Sequence, residues 1–230
     1  WPLESKCDWN IAKNFLWLLK GEEPNPSEVE TMDLCLVLHA DHELNASTFA
    51  ARVTASTLSD MYSAVTSAIG TLQGPLHGGA NQAVMRMLEE IGDVSKAEAY
   101  VDNALANKQR IMGFGHRVYK TEDPRAAILR GNCQNICRLT GNSKYFEISE
   151  KIREVVYDRK GLYPNVDFYS ASVLRSIGIE TELFTTIFAA SRIVGWTAHI
   201  MEQYKDNRLI RPTSEYIGVK DKKFVPMDER

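Results

Sequence analysis

Fifteen residues, Ile111-Met-Gly-Phe-Gly-His-Arg-Val-Tyr-Lys-Thr-Glu-Asp-Pro-Arg125, set flexible, apolar and cationic groups side by side. Gly113 and Gly115 bracket Phe114 and allow a ligand to approach the backbone closely. His116, Arg117, Lys120 and Arg125 form a cation set suited to a carboxylate or phosphate. The same stretch also reads as a basic surface loop ahead of a helix. Three other breaks carry titratable groups: His42 near Asn45, His77 among Gly74, Gly78 and Gly79, and Asp167 after Pro164. Singly, each reads as a surface or capping residue. Four such groups at four breaks fit that reading poorly, because catalytic residues concentrate at helix ends and loops.

His77 is the most informative. Gly78 and Gly79 open a helix just after it, so the ring meets free N–H groups and the positive end of the helix dipole, which lowers its proton affinity. A neutral imidazole that donates to a carbonyl oxygen stabilises an enolate. Asp167 is the one carboxylate base among these breaks, with Phe168 and Tyr169 beside it to limit its solvation. Arg125, Arg192 and Arg211 supply cations. Arg192 falls on an apolar helix, where a charge must meet a protein carboxylate or a bound anion; a structural ion pair is the plain alternative. The set suits one reaction type, in which a C–H acid next to a carbonyl loses a proton and its enol attacks a second carbonyl on a carboxylate-bearing acceptor.

The elements that must position these groups are helices, and the predicted class is all-α. Asp8 caps a helix ending at Gly21, and Asn25-Pro26 starts one running to His39. Asn45 or Ser47 starts the next, then Ser59-Asp60. Later helices run to Gly92, from Ser95 to about Asn107, and from Asp123-Pro124 to Gly141. Another runs from about Ser143 to Arg159, stopped by Gly161, and a turn over Tyr163–Tyr169 feeds one to about Ile177, with Gly178 after it. The last, about Thr181–Tyr204, is apolar on most sides and is expected to be buried. A short strand is expected at Phe224-Val-Pro226 within an irregular tail.

Composition narrows the alternatives. The chain has 230 residues, 44% apolar and 25% charged, with a net charge of -3. That disfavours nucleic acid or an anionic membrane as the main partner. No apolar run reaches the ~18 residues of a membrane span, and Trp1-Pro-Leu-Glu-Ser-Lys6 lacks a leader pattern. Cys7, Cys35, Cys133 and Cys137 have no framework spacing and read as reduced thiols of an intracellular chain. His39-Ala-Asp-His42 lacks the further ligands of a metal site, and no metal is expected. There is no GxGxxG, Walker loop or Gly-x-Ser-x-Gly elbow.

Four motifs in order, His39-Ala-Asp-His-Glu-Leu-Asn-Ala-Ser-Thr48, Gly74-Pro-Leu-His-Gly-Gly-Ala-Asn81, Gly113-Phe-Gly-His-Arg-Val-Tyr-Lys120 with Asp123-Pro-Arg125, and Pro164-Asn-Val-Asp-Phe-Tyr-Ser170, resemble citrate synthase of the short bacterial type. The resemblance extends along essentially the whole chain to Asn207-Arg-Leu-Ile-Arg-Pro212. It implies a helical fold with a large domain, 1–77 and 179–230, and a small domain, 78–178, around a cleft. It implies condensation of acetyl-CoA with oxaloacetate and hydrolysis of citryl-CoA, in the cytoplasm, with no cofactor beyond the acetyl-CoA substrate. The resemblance makes Asp167 the base, His77 the enol stabiliser and His116 the group that polarises the acceptor ketone. It gives Arg125, Arg192 and His42 to oxaloacetate, and Arg211 to the site of the other subunit in a homodimer. Ile111, Met112, Gly113, Phe114 and Gly115 correspond to the adenine-contacting segment, and Lys120 to a cation for CoA phosphate.

One departure follows from the same resemblance. The helical segment that family members carry before the point of Trp1 has no counterpart here, so the large domain is expected to be incomplete. Three further readings accompany the first. They are a 2-methylcitrate synthase using propionyl-CoA, an inactive truncated fragment that binds oxaloacetate or dimerises, and a module that cleaves citryl-CoA.

Overall fold

Most helix starts rest on a polar side chain that caps exposed backbone N–H groups. The structure, a computed structural model, describes residues 3–116 and 118–230, so Trp1, Pro2 and Arg117 lie outside it. Asn10 caps α1 (Ile11–Lys20), and Asn25 with Glu28 forms a capping box on α2 (Pro26–His39), with proline at the first helical position. Asn45 caps α3 (Ala46–Ser56), and Asp60 caps α4 (Met61–Leu72). The start of α5 (Ala80–Ile91) is different: Gly79 precedes it and no side chain caps it. A 3-10 turn leads into α6 (Ala97–Ala106). Asp123 and Pro124 open α7 (Pro124–Thr140); α8 (Lys144–Lys160) and α9 (Val166–Ser176) follow, the latter capped by Asn165. The longest helix is α10 (Phe184–Lys205). Every predicted helix is present, and the class is all-α.

Two buried apolar clusters organise these helices. The larger joins Leu16 and Met32 of α1 and α2 to Leu88, Leu129, Ile152 and Val173 of α5, α7, α8 and α9. The smaller joins Ala51, Ala64 and Ala68 of α3 and α4 to Trp196 and Ile200 of α10. Each large buried side chain contributes ~1.5–3 kcal/mol. Helix α10 links the two clusters: Phe184 and Ile187 belong to the first, Phe188 and Trp196 to the second. Gly195 makes this crossing close, because a Cβ there would collide with the Ala40 carbonyl at the end of α2. The turn that delivers His42 is thereby pressed against α10.

Three expectations are corrected. Asn10, not Asp8, caps α1, its Oδ1 accepting from the Lys13 backbone N–H. α10 is not buried all round: Val194 is 58% exposed and Met201 63%, on the side away from both clusters. Phe224–Pro226 forms no strand, since nothing lies beside it to pair; the tail after α10 is exposed coil with a 3-10 turn at Met227–Glu229. Among the described residues no helix is long and apolar enough to cross a membrane. None of the four cysteines is in a disulfide, and among the described residues no cluster of His, Cys, Asp or Glu has the makings of a metal site.

Candidate active site

A cavity of about 120 Å³ is lined by His42, His77, His116, Arg125, Asp167 and Arg192, with Asn45, Asn165 and Phe188. All four predicted breaks therefore converge. They come from the end of α2, the start of α5, the loop before α7, and the first turn of α9, with Arg192 from α10.

His77 is fixed by α3. The backbone N–H of Ser47 donates to its Nε2 (3.2 Å), and Ser47 Oγ lies 2.8 Å from the same atom. A backbone amide can only donate, so Nε2 is the acceptor and the proton of the neutral ring sits on Nδ1. Burial, with the Arg192 charge adding to it, pushes its pKa down to about 4. Trp196 Nε1 donates to Ser47 Oγ (3.1 Å), which anchors this contact in the smaller cluster.

His116 is fixed the opposite way. The backbone N–H groups of Val118 and Tyr119 donate to its Nδ1 at 3.0 and 3.1 Å, leaving the proton on Nε2. Its pKa is lowered by burial, and Arg125 adds to this against the pull of Asp123. His42 lies beside it, ring centres 5.1 Å apart, with Nε2 3.2 Å from the Tyr119 hydroxyl. Its pKa is also lowered, by burial and then by Arg125 and His116.

The two arginines differ. Arg125 makes a two-pronged pair with Asp123, Nε to Oδ1 at 3.1 Å and Nη2 to Oδ2 at 2.8 Å. Asp123 is 1% exposed. Burial raises its pKa, but the hydrogen bonds and charge of Arg125 outweigh this and hold it below its usual range. Arg192 is also 1% exposed, and among the described residues no carboxylate lies within ion-pair distance of it. Its Nε donates to the His39 carbonyl (2.6 Å), and its guanidinium lies over the Phe188 ring at 4.8 Å. Burial, with Arg125 adding to it, lowers its pKa to about 10. A buried guanidinium held by a carbonyl and a ring is suited to an anion from outside.

Asp167 sits in the first turn of α9, where the helix end favours an ionised carboxylate. Burial wins nonetheless and raises its pKa to about 7, against the charges of Arg125 and Arg192. Its Oδ1 is buried with no hydrogen-bond partner among the described residues. A carboxyl of this kind is suited to take and return a proton near neutral pH.

A wider cleft of about 820 Å³ adjoins the cavity and shares His42, His77 and His116 with it; Leu76, Arg110, Phe114, Gly115 and Val118 extend it. Of the segment predicted to contact adenine, Phe114 and Gly115 line this cleft. Ile111 is buried, Met112 packs against the core, and Gly113 is enclosed at φ +82°, where a Cβ would strike Val84 and Phe168. Lys120 is exposed and is not among the lining residues. Arg211 is exposed in the tail, its Nη1 donating to the Pro212 carbonyl, and does not line the cavity of its own chain. Arg117, named above among the loop's cations, is outside the described residues.

Sequence reasoning missed several residues that hold or line the site. Ser47 signals only a helix start, because its contact with His77 spans thirty residues. Asp123 signals a cap, which it is (its Oδ1 accepts from the Arg125 backbone N–H), although Asp-Pro-Arg spacing also places the two side chains together. Asn165 caps α9 and donates Nδ2 to the Gly115 carbonyl (3.0 Å), with Phe114 and Pro164 forming a β-bridge beside it. Tyr119, Phe188 and Arg110 gave no signal of their own.

The chain is similar to known proteins along nearly its whole length. A family model described as citrate synthase, C-terminal domain, matches residues 2–213. Citrate synthase 2 of Bacillus subtilis is 58% identical over 229 residues, covering 100% of this chain and 62% of that protein. A 2-methylcitrate synthase of Shewanella oneidensis is 45% identical over 223 residues, 97% of this chain and 60% of that protein. The solved structure of citrate synthase from Thermoplasma acidophilum, in a ternary complex with carboxymethyl coenzyme A and oxaloacetate, aligns with a TM-score of 0.91 at 41% identity. That alignment covers 98% of this chain and 61% of the other. The chain spans about three-fifths of the length of these relatives.

Proposed function

Since the chain belongs to the citrate synthase family, we propose that it carries the reacting centre of an acyltransferase that condenses acetyl-CoA with oxaloacetate and then hydrolyses citryl-CoA. The observation that supports this best is the pair of neutral histidines held in opposite tautomers around one cavity, beside an unpartnered carboxyl. Asp167 takes a proton from the acetyl methyl group, and the electron pair moves onto the thioester oxygen. His77 Nδ1–H donates to that oxygen and stabilises the enol. The enol carbon attacks the oxaloacetate ketone, whose oxygen His116 Nε2–H polarises. Arg125 and Arg192 hold the acceptor carboxylates, with His42 alongside. Water then attacks the thioester of citryl-CoA, releasing citrate and CoA.

The wide cleft is the path of the CoA chain. Phe114 and Gly115, which line it, face its adenine, and Arg110, also on its wall, takes its phosphates; Ile111, Met112, Gly113 and Lys120 do not line the cleft. We assign 78–178 to a small domain closing on a large one formed by 1–77 and 179–230, in a cytoplasmic homodimer where Arg211 serves the other copy's site. No metal or cofactor enters this reading.

Thiol release with oxaloacetate and either acetyl-CoA or propionyl-CoA tests it. Faster CoA release from acetyl-CoA is expected. Preference for propionyl-CoA would make the chain part of a 2-methylcitrate synthase, a difference of one methylene worth ~1–3 kcal/mol. No release with either, while oxaloacetate still raises the melting temperature, would leave an acceptor-binding module.

A further inference from the structure

Two buried polar atoms beneath the site have no hydrogen-bond partner among the described residues: His39 Nε2 and Asn81 Nδ2. Both residues line a cavity of about 10 Å³, together with Cys35, Phe188 and Ser191. His39 Nδ1 lies 2.8 Å from the Cys35 carbonyl oxygen, which can only accept, so Nδ1 carries the ring proton. His39 is kept neutral, its pKa pushed down to about 4 by burial. Nε2 is therefore a lone-pair acceptor. Asn81 is oriented just as firmly, since its Oδ1 accepts from the Gln82 backbone N–H (2.8 Å) and its Nδ2 is left to donate. One unmatched acceptor and one unmatched donor thus share a space the size of a single water molecule. Ser191, whose hydroxyl donates to the Leu36 carbonyl, offers a further acceptor oxygen.

We propose that an ordered water occupies this cavity, accepting from Asn81 and donating to His39 and Ser191, and that His39 and Asn81 act through it as positioning residues for the site above. The water joins three elements. His39 ends α2 just ahead of His42, Asn81 lies in the first turn of α5 just past His77, and Ser191 precedes Arg192 on α10. Phe188 separates this cavity from the reacting one and lines both. The His39 ring meets one side of Phe188 edge-on at 4.8 Å, while Arg192 lies over the ring and donates to the His39 carbonyl. Fixing His39 therefore fixes the guanidinium that is offered to the acceptor carboxylate.

The water does not depend on the function proposed above; the effect on oxaloacetate does. A high-resolution crystal structure of the protein should show one water within hydrogen-bond distance of His39 Nε2 and Asn81 Nδ2. Nitrogen NMR of labelled histidine at neutral pH should show His39 Nε2 without a proton. Asn81→Leu, which fills the cavity, should weaken oxaloacetate binding about tenfold, the loss of one buried bridge. His39→Gln should retain more affinity than His39→Leu, because its amide offers both a donor and an acceptor. A dry cavity or a protonated Nε2 overturns the water. Unchanged oxaloacetate affinity in Asn81→Leu, with the water displaced, overturns the positioning role. If the water is seen but the unmodified protein binds no oxaloacetate, the functional reading fails and the bridge stands.

Discussion

The loop at 74–79 and the loop at 113–120 hold the same side chain in opposite forms. Each pins one imidazole nitrogen with backbone N–H groups and leaves the other as a donor. In the second loop the amides come from Val118 and Tyr119, two and three residues after His116. In the first the amide comes from Ser47, on another helix, itself held by Trp196 of a third. A local loop thus fixes one donor by itself, while the other depends on how α3 and α10 pack. Tautomers are a product of tertiary structure in one case and of a few bonds along the chain in the other.

The broadest way to break this comparison is to remove the base proposed to work with both histidines. Asp167→Asn should lower turnover by about 10³-fold while oxaloacetate binding persists; normal turnover would show that the base is elsewhere. The same variant carries a stability signature. The folded pKa of about 7 lies above the ordinary value of 3.8, so the native state binds the proton more tightly. Stability is therefore lost as pH rises from about 4 towards 7, and the cost is complete above that. Asp167→Asn should melt higher than the unmodified protein at pH 8 and no higher at pH 4.

Next in size is the comparison itself. His77→Ala and His116→Ala should each cost about 10²–10³-fold in turnover. Only His116→Ala should weaken oxaloacetate, as measured by calorimetry; equal losses would mean that the two rings do not face different substrates. Asp123→Asn should weaken oxaloacetate about tenfold by loosening the Arg125 fork, and an unchanged affinity would show that Arg125 needs no partner. Ser47→Ala keeps the amide and removes only the hydroxyl, so a loss of about two- to fivefold in turnover is expected. A loss as large as that of His77→Ala would mean that the hydroxyl, not the amide, sets the tautomer. The smallest effect is on acid stability. His77 is lowered from 6.5 to about 4, so the unfolded chain protonates first and stability falls as pH drops through that window. Melting temperatures of His77→Gln should vary less between pH 7 and 4.

Helix caps were legible because they are local: Asn25 with Pro26, Asn45, Asp60 and Asp123 each announce a start within four residues. Titratable groups at the breaks between helices could be named from similarly short windows, and the cavity brings His42, His77, His116, Arg125 and Asp167 together, with Arg192 from within α10. What could not be read was long-range. Ser47 and His77 are thirty residues apart, and Asn165 and Gly115 fifty. The apolar run of α10 overstated its burial, because periodicity reports composition around the helix and not which sides have neighbours. Lys120 and Arg110 show a similar limit: a basic residue near a motif does not disclose which way it faces.

Asn165 accounts for more than a helix start. Its backbone N–H donates to the Gly113 carbonyl, its Nδ2 donates to the Gly115 carbonyl, and the Gly115 N–H donates to the Tyr163 carbonyl. Those bonds lash the His116 loop to the head of α9, so the spacing between His116 and Asp167 is set by short local ties, whereas neither is tied to His77 in this way. In hydrogen exchange the amides of Gly115 and Asn165 would open together, at a common rate, whatever the rest of the cleft is doing.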